Sequence, residues 1–149
     1  MLKGRNRILI VDDEPDILLM LRVNLEAEGY ETLLASDGAT ALRRIEEERP
    51  DLVLLDIMMP IVDGWGVLDE VGGSDSGPRV IMLSAKAGED DVLRAWRNGA
   101  DEYVTKPFDP DRLMVLVEEV LERSADDRKA RRESAIAQSA EVSGEGGEP

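Results

Sequence analysis

Asp12, Asp13, Asp56, Ser84 and Lys106 are the residues whose types could do chemistry together. Each stands at or just past the end of a short, mostly apolar run. Residues 8–11 lead to Asp12-Asp13, 52–55 to Asp56, 80–83 to Ser84, and 102–104 to Thr105-Lys106. Taken singly, each is ordinary. An acidic pair after a strand often only caps a helix, and a lone lysine is usually solvated. Their convergence is different. Carboxylates at close range repel one another unless a cation neutralises them, and a hard, oxygen-preferring ion such as Mg²⁺ suits that role. One carboxylate could then act as a nucleophile and form an aspartyl phosphate. The metal, Lys106 and the Ser84 hydroxyl would neutralise or position the phosphoryl oxygens.

Composition narrows the chemistry further. The 149 residues contain no Cys and no His, which excludes disulfides, thiol nucleophiles, Ser-His-Asp relays and most zinc sites. The net charge of -15 repels nucleic acid and anionic membranes and favours cations or a basic partner. No apolar run approaches the ~20 residues of a membrane helix, and the basic start at Met1 lacks the long apolar stretch of a signal peptide. A cytoplasmic protein is the expectation.

The elements that must position these residues alternate regularly. Strands are predicted at 8–11, 32–35, 52–55, 80–83 and 102–104, their apolar, β-branched character matching buried parallel strands. Between them fall helices. The first opens at Pro15, carries Ile17, Leu18, Leu21 and Leu25 at helical spacing, and stops at Gly29. Others follow Asp37-Gly38, cover about 65–71 and 90–98, and begin at Asp109-Pro110. Five β-α repeats predict an α/β fold, an open parallel sheet with helices on both faces. Ligands in such sheets bind beyond the carboxyl ends of the strands, where all five residues fall. Residues 1–123 are expected to be this domain. Residues 124–149 are expected to be a helical extension reaching about 138, then a disordered acidic tail beyond Ser143.

Asp12-Asp13, the run Asp56-Ile57-Met58-Met59-Pro60-Ile61-Val62-Asp63-Gly64, Ser84-Ala85 and Tyr103-Val104-Thr105-Lys106-Pro107-Phe108 together resemble the response-regulator receiver domain of bacterial two-component signalling. The resemblance covers about 7–121 and is closest to stand-alone, chemotaxis-regulator-like receivers. It implies a flavodoxin-like doubly wound sheet in the order 2-1-3-4-5. It implies phosphorylation at Asp56, Mg²⁺ held by Asp13, Asp56 and the Met58 carbonyl with Asp12 assisting, and phosphate contacts from Ser84 and Lys106. Tyr103 would be the aromatic that turns inward when Ser84 moves, and the Lys106-Pro107 bond would be cis. Met58 and Lys86 would occupy the positions that tune dephosphorylation.

The implied function is a single-domain response regulator rather than an enzyme, beyond its own phosphorylation and slow dephosphorylation. The phosphoryl group would come from a sensor histidine kinase or a phosphotransfer protein. The output would be an unidentified protein target or a phosphorylation-dependent homodimer, not nucleic acid or membrane. Val92, Trp96, Met114 and Leu116 are expected to form the output face. Other readings remain open here: a fragment of a longer regulator, a degenerate receiver that only binds, an aspartyl-phosphate phosphatase, or a flavin-binding module. Met58 stands where such phosphatases place a second Asp, and Asp-Asp-Glu replaces a phosphate-cradling loop.

Overall fold

The computed structural model describes residues 6–57, 63–74, 76–85 and 88–147. The apolar runs form strands and the periodic segments form helices. In chain order they are β1 (Arg7–Val11), α1 (Pro15–Ala27), β2 (Glu31–Ala35), α2 (Gly38–Glu48), β3 (Leu52–Asp56), α3 (Gly64–Val71), β4 (Arg79–Ser84), α4 (Glu89–Arg97), β5 (Glu102–Thr105), α5 (Pro110–Glu122) and α6 (Ala125–Gly147). The sheet is parallel throughout, in the order β2-β1-β3-β4-β5, as the resemblance implied.

Strand side chains point alternately to the two faces of the sheet. Leu9, Val11, Val53, Leu55, Val80 and Met82 face a core completed by Ala41 and Ile45 of α2, Trp65 and Leu68 of α3, and Ala95 of α4. Ile8, Ile10, Leu52, Leu54, Ile81 and Leu83 face the other, completed by Leu21 and Leu25 of α1 and Leu113, Val117 and Val120 of α5. Both faces are covered. That is why β1, β3 and β4 read as continuous apolar runs rather than alternating ones.

Local signals set the helix boundaries. Pro15 and Pro110 open α1 and α5, and the Asp37 carboxylate accepts from the Thr40 amide to cap α2. Register then aligns the strand ends. Val11 pairs with Leu55, Asp56 with Leu83, and Ser84 with Thr105. Positions 12, 56, 84 and 106 therefore emerge along one edge of the sheet.

Helix α6 departs from the expectation for the tail. It runs to Gly147, into the Gly-rich stretch expected to be disordered, and it packs along α4. Its first turns are held by ion pairs that composition does not reveal. The Arg128 guanidinium donates to both carboxylate oxygens of Asp101, at 2.8 and 3.1 Å, and both residues are buried.

Candidate functional site

Asp12 directly follows β1 and is fully buried. Its Oδ1 accepts from the Glu14 amide at 2.9 Å, and its Oδ2 accepts from Lys106 Nζ at 2.9 Å. Glu14, the N-cap of α1, makes no side-chain cap bond, so Asp12 supplies an acceptor at that helix start. The capping role expected of an acidic pair thus belongs to Asp12, while Asp13 stays exposed at the mouth of the site. Asp56 closes β3 and is 4% exposed, with its Oδ1 at 3.5 Å from Lys106 Nζ.

Asp12, Asp13 and Asp56 each present a carboxylate oxygen, all within 4.8 Å of one another. Against these three negative charges, Lys106 supplies one positive charge. The sum of three minus and one plus is a net -2, which a divalent cation would cancel. The donor set is all oxygen, partly buried and open on the Asp13 side, and such chemistry fits a hard ion that keeps part of its water.

Lys106 follows β5. Its amide donates to the Ser84 carbonyl at 2.7 Å, and its peptide bond to Pro107 is cis. Burial pulls the ammonium's pKa down. The hydrogen bond to Asp12 and the charges of Asp12, Asp56 and Glu14 together outweigh that pull, leaving it above the ordinary lysine range. Ser84 ends β4 and is fully buried, and its hydroxyl shares a hydrogen bond with the Tyr103 phenol. Burial pushes the Tyr103 phenol up, the bond to Ser84 offsets part of this, and the Asp91 charge adds to the rise. Tyr103 packs against the core that contains Trp65, with its hydroxyl joined to the strand end nearest Asp56.

Gly64 is a site residue that the Asp-Gly turn signal understated. A Cβ there would overlap the Asp56 carbonyl oxygen and lie 2.6 Å from Ile57 Cα. The Gly64 amide also donates to the Ile57 carbonyl at 2.8 Å. Glycine here lets the start of α3 lie directly against the backbone that carries Asp56.

Met58 and Lys86 lie outside the described residues. The four residues expected to form an output face do not form one exposed patch. Trp96 is 4% exposed and Met114 is 8% exposed, while Val92 and Leu116 are half-buried. Met114 is part of the core beneath α5. Trp96 belongs to neither core cluster; the Arg131 guanidinium of α6 lies over its ring, 4.8 Å from the centroid. Leu116 instead lines an open groove of about 380 Å³ between β5 and α5, with Tyr103, Phe108 and Arg112.

The model of the response regulator receiver domain matches residues 8–118. The DNA-binding response regulator MtrA of Mycolicibacterium smegmatis is 45% identical over 123 residues, which are 83% of this chain and 54% of MtrA. The alkaline phosphatase synthesis transcriptional regulatory protein PhoP of Bacillus subtilis is 42% identical over 118 residues, covering 79% of this chain and 49% of PhoP. The chain thus spans about half the length of these curated relatives. Among solved structures, a CheY-like response regulator receiver domain from Methanospirillum hungatei superimposes with a TM-score of 0.72 at 32% identity, over 84% of this chain and 97% of that one.

Proposed function

The chain belongs to the response-regulator receiver family, and from that premise we propose that it is a Mg²⁺-dependent phosphoryl acceptor that switches a protein-binding surface. The observation that carries this reading is the meeting of Asp12, Asp13 and Asp56 with Lys106 at one sheet edge.

Asp56 is the proposed nucleophile. A carboxylate oxygen forms a bond to phosphorus as the bond from phosphorus to the donor's leaving group breaks, and the leaving group departs with that electron pair. Asp13 and Asp56, with Asp12 behind them, would hold Mg²⁺, and the Met58 carbonyl is the further ligand that the family pattern suggests. Bound there, the ion would supply positive charge to the phosphoryl oxygens. Lys106 already stands 3.5 Å from Asp56, and its raised pKa keeps it cationic at neutral pH. It can therefore exchange part of its pairing with Asp12 for a phosphoryl oxygen. Ser84 is the proposed hydrogen-bond donor to that group. Its bond to Tyr103 links any movement of the hydroxyl to the aromatic ring, so the phosphoryl group biases the position of Tyr103 through differential contacts.

The proposed donor is a sensor histidine kinase or a phosphotransfer protein. Met58 and Lys86 are proposed to tune the lifetime of the phosphorylated state. No helix among the described residues is long and apolar enough to cross a membrane, and a cytoplasmic setting matches this signalling role. MtrA is described as DNA-binding, and this favours a second reading in which the receiver governs a DNA-binding output. The net charge of -15 argues against direct DNA contact by this chain itself.

The test is incubation with a small phosphodonor such as acetyl phosphate, read by intact mass. The unmodified chain should gain one phosphoryl group with Mg²⁺ and none with chelator, and Asp56→Asn should gain none in either case. Uptake that is indifferent to Mg²⁺ or to Asp56→Asn rejects the proposal.

A further inference from the structure

Helix α6 is held by an unusual set of contacts. Arg128 and Arg132 both reach Asp101, and Arg131 reaches Glu102, which also pairs with Arg123 at the end of α5. Arg132 also donates to the carbonyls of Gly99 and Ala100 just past the end of α4, at 3.1 and 3.2 Å. Arg131 stacks over Trp96. Among the described side chains of α6, the apolar ones taken out of solvent are Ala135, which is buried, and Ile136, which is half-buried. Helices packed permanently into a core carry a broad apolar stripe, and the described side chains of α6, residues 125–138, do not form one. The surface beneath it does resemble a recognition site. It offers an aromatic ring that belongs to neither core cluster, two carboxylates, and the carbonyls just past the end of α4 that Arg132 engages.

We propose that α6 is an internal cap on a helix-docking surface formed by α4 and the start of β5. The partner that fits this surface is a cationic helix with Arg at i, i+3 and i+4 and a small apolar residue at i+7. In this chain Arg128, Arg131, Arg132 and Ala135 supply that pattern. While α6 is docked, Trp96 and Glu102 are withheld from any such helix. Glu102 immediately precedes Tyr103, whose hydroxyl meets Ser84, so the cap touches the strand that leads to Lys106. The inference deepens the output side of the proposed function. It rests on the α4–α6 contacts, and its test uses no phosphodonor, so its failure leaves the Asp56 reading untouched.

The probe is a fluorescently labelled peptide of residues 124–138, titrated into the full chain and into Ala130→Pro. Ala130 is exposed, and proline there clashes with the Asp126 carbonyl and breaks the first turns of α6, which frees Asp101, Glu102 and Trp96 for the peptide. The cap makes a binding-competent surface a minor population, so the wild type should bind the peptide about tenfold or more weakly than the variant. A peptide carrying Arg131→Glu and Arg132→Glu should lose this binding. Equal affinity of the two chains, or no binding to the variant at millimolar peptide, overturns the proposal. Hydrogen exchange on the unmodified chain gives an answer even if the variant fails to fold. Amides of 128–136 should be protected beyond the free peptide yet open before those of β1 and β3. Exchange at the free-peptide rate, or opening only together with β1 and β3, also overturns it.

Discussion

At the residue scale the site is defined by charge. Lys106 is the described cation that contacts both Asp12 and Asp56, and it partly offsets three carboxylates. Lys106→Met should therefore tighten Mg²⁺ binding by about 1 kcal/mol, the order expected for one partly solvated pair. Titration calorimetry checks this, and weaker binding in the variant would mean that Lys106 organises the ligands instead of competing with the ion. The same charge predicts the pH response. The folded pKa of Lys106 is raised, so the stability it contributes is complete below the ordinary lysine value and is lost as pH rises through the folded one. Tyr103 is also raised and acts in the same direction. The urea midpoint should fall above about pH 10, and less steeply in Lys106→Met. An identical fall in the variant would assign the alkaline loss elsewhere.

At the element scale the sheet brings residues far apart in sequence together by register. The ends of β1, β3 and β4 were legible because each follows an uninterrupted apolar run closed by a polar residue, as in residues 8–11 before Asp12 and 52–55 before Asp56. Gly64 was legible as a turn residue but not as a spacer, since its role depends on α3 returning to the backbone of Asp56. Gly64→Ala must move one of these two elements. It should cost about 1–3 kcal/mol in urea unfolding, the usual range for forcing a methyl group into a filled space. It should also slow phosphorylation more than Mg²⁺ binding, because Asp13 lies on the connection between β1 and α1. Wild-type stability would show that α3 shifts freely. The docking of α6 was not legible. Arg128 and Asp101 are 27 residues apart, and an ion pair at that distance leaves no periodic trace. Trp96 was legible as an output-face candidate but not as a ring lying under α6, since that helix was expected only as an extension.

At the scale of the whole molecule, two covered sheet faces supply a rigid frame, and the acidic edge is a local departure from it. Buried Asp12 and Asp56 carry charge that the fold offsets only in part. A divalent ion that binds this edge only in the folded state should raise the melting temperature by mass action. The rise should grow through millimolar Mg²⁺ and should disappear in Asp13→Ala; an equal rise in that variant would place the ion elsewhere. The most direct test of the central claim is chemical trapping of the phosphorylated residue. The chain is treated with acetyl phosphate and Mg²⁺, reduced with borohydride to convert an acyl phosphate into a stable alcohol, and mapped by peptide mass spectrometry. The account predicts reduction at position 56 and at no other carboxylate. Reduction at Asp12 or Asp13, or stable phosphate on Ser84, would contradict it.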